Sequence, residues 1–170
     1  DANGASLGVD TATVPAGNFF VKVSGFNSTD FIGNSYRFAV GLPPTEYLSA
    51  PMLGLAINSG STTVTDTIMV TDTCTIADLR VYVDITHEYR GDLEVKLTSP
   101  LGTTETFLTS RFDGTDDYIG YAPTDFGDSP LNNFDGESTN GSWTITIEDT
   151  FPSFDDGTFN QWGIEVTCAP

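Results

Sequence analysis

The sequence predicts an all-β fold, a two-sheet jelly-roll sandwich of about eight strands with an N-terminal β-hairpin extension. Three observations carry this expectation. Threonine numbers 25, phenylalanine 12, tyrosine 6 and tryptophan 2, a β-branched and aromatic content that strands favour. The acid is mostly Asp, 17 against 7 Glu, and Asp belongs to turns and caps where Glu prefers helices. Period-two alternation recurs along the chain and no helical period interrupts it.

The first segment, from Asp1 to about Leu42, holds Phe19, Val21 and Val23, then Tyr36, Phe38 and Val40, each set alternating with polar residues. Gly25 to Asn34 is the turn-rich connection between them. Two strands alone are marginal in water, so this hairpin packs on the rest, belongs to a domain cut short, or pairs with another chain. Gly41-Leu42-Pro43-Pro44 then punctuates the chain, because proline disfavours both helix and central strand. The expected division is residues 1–46 and residues 47–170.

In the second part Leu79, Val81, Val83 and Ile85 share one face while Arg80, Tyr82 and Asp84 share the other. Leu93, Val95 and Leu97 repeat the pattern, as do Trp143, Ile145 and Ile147, and then Trp162, Ile164, Val166 and Cys168. Each apolar face needs a partner sheet, and short strands separated by Gly, Asp and Pro turns give a sandwich. Cys74 precedes the Leu79 strand and Cys168 ends the last one, so a Cys74–Cys168 bond would tie an early strand to the final one. The even cysteine count reads as a disulfide from an oxidising compartment, the alternative being two buried free thiols.

The formal charge is 6 − 24 = −18. So anionic a surface repels phosphate and anionic lipid, which excludes a nucleic-acid binder and a membrane-surface protein. No stretch reaches the roughly 18 to 20 apolar residues of a membrane span and no charged-then-apolar leader opens the chain, which therefore reads as soluble and either mature or excised. After Arg111 there is no Lys or Arg, yet Asp113, Asp116, Asp117, Asp125, Asp128, Asp135, Glu137, Glu148, Asp149, Asp155, Asp156 and Glu165 follow.

The stretch Asp84-Ile85-Thr86-His87-Glu88-Tyr89-Arg90-Gly91-Asp92-Leu93, then Leu97-Thr98-Ser99-Pro100-Leu101-Gly102-Thr103, resembles the P domain that follows the catalytic domain of kexin- and furin-like proprotein convertases and ends many secreted bacterial proteases. Pro130-Leu131-Asn132-Asn133-Phe134-Asp135-Gly136-Glu137, Asn140-Gly141-Ser142-Trp143-Thr144-Ile145 and Gly157-Thr158-Phe159-Asn160-Gln161-Trp162 are similar to the same family in the same order. The resemblance implies an eight-stranded jelly roll, a secreted, extracellular setting, and the catalytic domain of a parent protease as partner. Its acid-rich 113–128 loop looks more like the bacterial members than the convertases. The stretch Val14 to Phe26 followed by Tyr36 to Val40 is similar to the last strands of the bacterial pre-peptidase C-terminal domain. That likeness suggests a fragment released by proteolysis, the alternative being a self-sufficient β extension.

Chemistry is sparse. His87 is the only histidine and precedes Glu88, but a zinc protease needs His-Glu-x-x-His on a helix and the fifth position here is Gly91. No Gly-x-Ser-x-Gly elbow is present, and the family resemblance puts the triad in a separate catalytic domain, so no catalytic residue is expected. Arg90-Gly91-Asp92 is the tripeptide adhesion receptors read, and its expected role is a tight turn, with Gly91 free to adopt positive φ and Asp92 acting as an Asx cap.

Calcium is the sharpest expectation. Ca²⁺ takes six to eight oxygen ligands, and Asp113-Gly114-Thr115-Asp116-Asp117 and Asp125-Phe126-Gly127-Asp128 offer clustered carboxylates with glycine for sharp turns. One or two ions are expected on a subset of Asp84, Asp113, Asp116, Asp117, Asp125 and Asp128, the alternative being a solvated acidic surface. Phe112, Tyr118, Tyr121, Phe126, Phe151, Phe154 and Phe159 read as loop aromatics that plug the sandwich or, if exposed together, bind a protein substrate of collagen-like type or a polysaccharide.

Overall fold

The computed structural model describes residues 43–59, 63–109, 117–123, 130–151 and 155–170. The expected hairpin over 19–40 lies outside them. The chain divides into two compact units, Asp1–Ala39 and Val40–Pro170, and the second is described here. Its strands are β1 (Thr45–Leu48), β2 (Leu55–Ile57), β3 (Thr63–Val70), β4 (Ile76–His87), β5 (Leu93–Thr98), β6 (Thr104–Leu108), β7 (Tyr118–Ala122), β8 (Gly141–Asp149) and β9 (Gly157–Cys168). Two short 3-10 turns, Arg90–Asp92 and Pro130–Phe134, are the only helical elements among the described residues, and none of these is long and apolar enough to cross a membrane.

Two antiparallel sheets form. The first has the order β1-β9-β4-β7 with β2 also on β9, and the second has the order β3-β8-β5-β6. The pairings are nested: β1 and β2 with β9, β3 with β8, β4 with β7, β5 with β6. Such nesting describes one long hairpin wrapped across two sheets, the jelly-roll order. β1 and β2 act as one interrupted edge strand, because Ser49 N donates to the Trp162 carbonyl (2.9 Å) and Leu53 N to the Asn160 carbonyl (2.7 Å). Pro51 lies in the interruption, and Met52 and Gly54 take positive φ there (57° and 61°). Counted so, the strands of the sandwich number eight among the described residues, the number expected.

The expected apolar faces meet as the core. Leu79, Val81, Val83 and Ile85 of β4, Leu93, Val95 and Leu97 of β5, Trp143, Ile145 and Ile147 of β8, and Trp162, Ile164 and Val166 of β9 are all buried. Both indole N–H groups find acceptors, as buried tryptophan requires. Trp143 Nε1 donates to the Thr139 carbonyl (2.8 Å) and Trp162 Nε1 to Asp66 Oδ2 of β3 (2.7 Å). The second bond crosses from one sheet to the other and explains a carboxylate on the inner side of an edge strand. Phe134, from the second 3-10 turn, packs edge-on against Trp143 with centroids 5.5 Å apart.

The reading of the aromatics as loop residues is corrected at three positions. Tyr118 and Tyr121 lie in β7 and Phe159 lies in β9. β7 carries Gly120 and too short an alternation to show in the sequence. Phe159 departs from the β9 period because the register shifts between Asp84 and Ile85: Asp84 faces Gln161 and Ile85 faces Phe159, leaving Asn160 as the extra residue of a bulge. Phe159 and Trp162 therefore both point inward although they are three positions apart. Phe112, Phe126 and Phe154 lie outside the described residues, and Phe151 is a loop residue, 53% exposed.

Cys74 and Cys168 are joined by a disulfide that closes a 94-residue separation. It fastens the chain ahead of β4 to the end of β9, the central pair of the first sheet. The chain-entropy account of a loop this long gives about 4 to 5 kcal/mol. Replacing both cysteines by serine is expected to lower unfolding free energy by roughly 2 to 5 kcal/mol, read as a fall in urea midpoint with a steeper slope, since the unlinked unfolded chain exposes more surface.

Candidate functional site

Functional side chains gather in two places: the outer face of the first sheet and the end of the sandwich where β4 and β8 finish. On the outer face Arg80, Tyr82 and Asp84 of β4 sit beside Glu165, Gly163 and Gln161 of β9 in register. Tyr82 pairs with Tyr121 of β7 and Asp84 with Ile119, while β1 aligns Glu46 with Glu165 and Leu48 with Gly163. Arg80 Nη1 bonds Glu165 Oε1 at 2.8 Å, and its guanidinium lies 4.4 Å from the Tyr121 ring centroid. The Tyr82 and Tyr121 rings are 5.2 Å apart. Tyr121 donates its hydroxyl to Glu46, and this bond, with burial and the charges of Glu46 and Glu165, pushes the phenol up to about 12.

Asp84, an expected metal ligand, belongs to this face. The bulge at Asn160 turns its amide toward β4, and Nδ2 donates to Asp84 Oδ1 (3.0 Å) and Thr86 Oγ1 (3.2 Å). Asp117, the other described member of the set, lies just before β7, where its Oδ1 accepts the His87 backbone N–H at 2.9 Å. Each carboxylate thus has its own donor within the fold. Asp113, Asp116, Asp125 and Asp128 lie outside the described residues, and among the described residues no three His, Cys, Asp or Glu side chains converge as a metal site.

The period-two pattern of β4 runs two residues beyond Ile85, so His87 is a strand residue facing inward. Its side chain and that of Asp149, at the end of β8, are fully buried, with Nε2 3.6 Å from Oδ2. Nδ1 lies 3.0 Å from the Tyr89 carbonyl and 3.2 Å from its N–H. Asp149 Oδ1 accepts the Phe151 N–H at 2.9 Å. The ring nitrogens of His87 thus face the Asp149 carboxylate and the Tyr89 backbone, with no hydroxyl or thiol against either. The His87 and Asp149 side chains meet between the sheets, at a separation too long for a hydrogen bond. Sequence reasoning missed this pairing, although the β8 alternation through Ile147 continues to Asp149 and places a carboxylate at an inner position.

The Arg90-Gly91-Asp92 tripeptide forms the first 3-10 turn and is built into the fold. Gly91 is buried, Arg90 lies 5.2 Å over the Tyr118 ring, and its Nη1 donates to the Asp117 carbonyl at 3.5 Å. The Asp92 carbonyl accepts both the N–H (2.8 Å) and the hydroxyl (2.6 Å) of Thr150. Burial raises the Asp92 carboxyl above its ordinary range, helped by the charges of Asp149 and Asp155 and opposed by His87.

Residues 76–166 match the family described as the proprotein convertase P-domain, a span of more than half the chain. This chain belongs to the proprotein convertase P-domain family. The matched span extends from the start of β4 to near the end of β9, so it takes in the β4–β8 end and the β4, β7 and β9 part of the outer face, while Glu46 and Leu48 of β1 precede it. A transglutaminase-activating metalloprotease of Streptomyces mobaraensis is 33% identical over 109 residues, which is 64% of this chain and 13% of that protein. Two crystal structures of the Aeromonas sobria serine protease share the fold. One, with the chaperone, has a TM-score of 0.55 at 19% identity over 77% of this chain and 27% of that one. The other has a TM-score of 0.53 at 18% identity over 83% and 29%. The chain thus spans less than a third of each relative.

Two outcomes follow for the β4–β8 end of the P domain. A Cβ at Gly157 would lie 2.4 Å from His87 Cδ2 and 2.6 Å from the Thr86 carbonyl oxygen. Gly157→Ala is therefore expected to destabilise the fold by about 1 to 3 kcal/mol in urea titration, since backbone as well as side chain must shift. For Asp92 the folded pKa lies above the unfolded one, so its contribution is complete below the ordinary carboxylate range and is lost as pH rises through the raised value. Asp92→Asn stays neutral throughout. Its melting temperature is expected to match wild type at about pH 3 and to exceed it at about pH 7, checked by calorimetry across that range.

Proposed function

We propose that this P domain is a noncatalytic accessory domain of a secreted bacterial protease, one that stabilises the catalytic domain or assists its maturation. The observation that carries the reading is the family match over β4 to β9, in a chain that spans 13% of a metalloprotease and 27% to 29% of serine protease chains. The greater part of each such relative lies outside the matched segment and has room for the chemistry. The Cys74–Cys168 bond supports an oxidising, extracellular setting. His87, engaged by Asp149 and the Tyr89 backbone, supports a structural role for the one imidazole.

The test is deletion in the parent protease. Removing residues 40–170 is expected to shorten the thermal half-life of its peptidase activity or to abolish the mature form. An unchanged half-life with normal maturation would overturn the reading.

Calcium belongs to the same proposal. The proposed ligands are a subset of Asp84, Asp113, Asp116, Asp117, Asp125 and Asp128, whose carboxylates are the hard oxygen donors that Ca²⁺ takes. Asp117 would hold the ion with ligands from Asp113, Asp116, Asp125 and Asp128, and the bound ion would neutralise part of an 18-charge excess. Elemental analysis is expected to find one or two Ca²⁺ per chain, with EDTA lowering the melting temperature by several degrees at fixed ionic strength, as ligand linkage requires. A melt insensitive to EDTA would leave these carboxylates as solvated surface.

A further inference from the structure

The two outer faces of the sandwich differ in kind. On the second sheet, register aligns Thr67, Thr144, Thr98 and Thr104 in one row and Thr65, Thr146, Lys96 and Thr106 in the next. Threonine hydroxyls there satisfy one another, Thr67 with Thr144 (3.1 Å) and Thr98 with Thr104 (2.9 Å). Such a face suits water and β propensity, and its rows carry no tyrosine or arginine, Met69 near the end of β3 being its exposed apolar side chain. The first sheet is the reverse. One row reads Leu48, Gly163, Tyr82 and Tyr121 from β1 to β7, and Ile119 adjoins it from the next row. Leu48 and Ile119 are 47% and 56% exposed.

Tyrosine and arginine are the residues that anchor protein interfaces, and their value is greatest when they are already fixed in place. Here Tyr121 is held by Glu46 and stacked by Arg80, which Glu165 holds in turn. An apolar strip therefore runs across the sheet between a row of Glu46, Glu165 and Arg80 and a row containing Gln161 and Asp84. Three carboxylates against one guanidinium leave the rim acidic, so the complementary surface is apolar at its centre and edged by Lys or Arg. A carbohydrate platform is disfavoured by the geometry, because the two rings are tilted by 54° and Arg80 occupies one face of Tyr121.

We infer that the outer face of the β1-β9-β4-β7 sheet is the surface by which this domain docks on the catalytic domain of its parent protease, through a basic-edged apolar patch on that domain. This rests on the accessory-domain reading above. It adds which face is used and the sign of the partner's charge.

The experiment uses the intact parent protein. Carbene footprinting is expected to label the threonine face and to spare Leu48, Tyr82, Ile119 and Tyr121. The half-life of peptidase activity at elevated temperature is then compared for Ile119→Asp, Ile119→Lys and a threonine-face control, Thr144→Asp, at positions whose side chains already meet solvent. Ile119→Lys is expected to shorten the half-life about fivefold or more, equivalent to about 1 kcal/mol. Ile119→Asp should do so less, and Thr144→Asp should leave it near wild type. Equal harm from Lys and Asp would overturn the basic partner, and protection of the threonine face with labelling of the tyrosine face would overturn the docking assignment while keeping the accessory role. Labelling of both faces, with no effect of deleting residues 40–170, would remove the accessory-domain reading itself.

Discussion

The central antiparallel pair β4 and β9 is the constraint on which the rest depends. These are the longest strands among the described residues, 12 residues each, and their inner faces supply a continuous apolar wall from Leu79 and Val166 to Ile85 and Phe159. Every other element is placed by the need to cover that wall or extend its ladder. The second sheet lies over it through Trp143, Ile145 and Ile147, β7 extends it on one side, and β1 with β2 extends it on the other. Its two ends are fastened by different chemistry. A covalent bond from Cys74 to Cys168 holds one, and at the other the buried His87 and Asp149 side chains pack between the sheets with Gly157 close against the imidazole.

Polar groups placed inside the sandwich follow from the same constraint. Asp66 faces inward on β3 because Trp162 brings an indole N–H to that level. Thr139, fully buried between β-elements, accepts the Cys74 N–H (3.0 Å) and donates to the Asp72 carbonyl (2.8 Å). Such groups are stable only when their partners arrive together. The Arg90-Gly91-Asp92 turn belongs to this class: its arginine, glycine and Asp92 carbonyl are each committed to the fold, which removes the tripeptide from the form an adhesion receptor would read.

Function is distributed accordingly. The interior carries stability, and the outer face of the first sheet carries the concentration of tyrosine, arginine and carboxylate. Its Asn160 bulge is what turns an amide to Asp84, and Gly163, beside which an added Cβ would lie 2.5 Å from Leu48 Cδ2, lets β1 lie close against β9. The acidity of the chain, 24 carboxylates against 6 cations, reaches this face as an acidic rim around an apolar strip.

The sequence by itself determined the fold class, the inner faces of β4, β5, β8 and β9, and the family. Each rests on period-two alternation or on contiguous motifs, which are local and survive without tertiary information. The cysteine pairing was a reading from count and compartment, with free thiols open, until the structure joined them. Only the tertiary structure decided the rest. Tyr118, Tyr121 and Phe159 looked like loop residues because β7 is short and a bulge displaces the β9 period. The His87–Asp149 pair joins residues far apart in the chain, and nothing local in either marks the other. The interruption between β1 and β2 and the tyrosine row across four strands depend on register, which is set by how whole sheets bury their faces and not by any one segment.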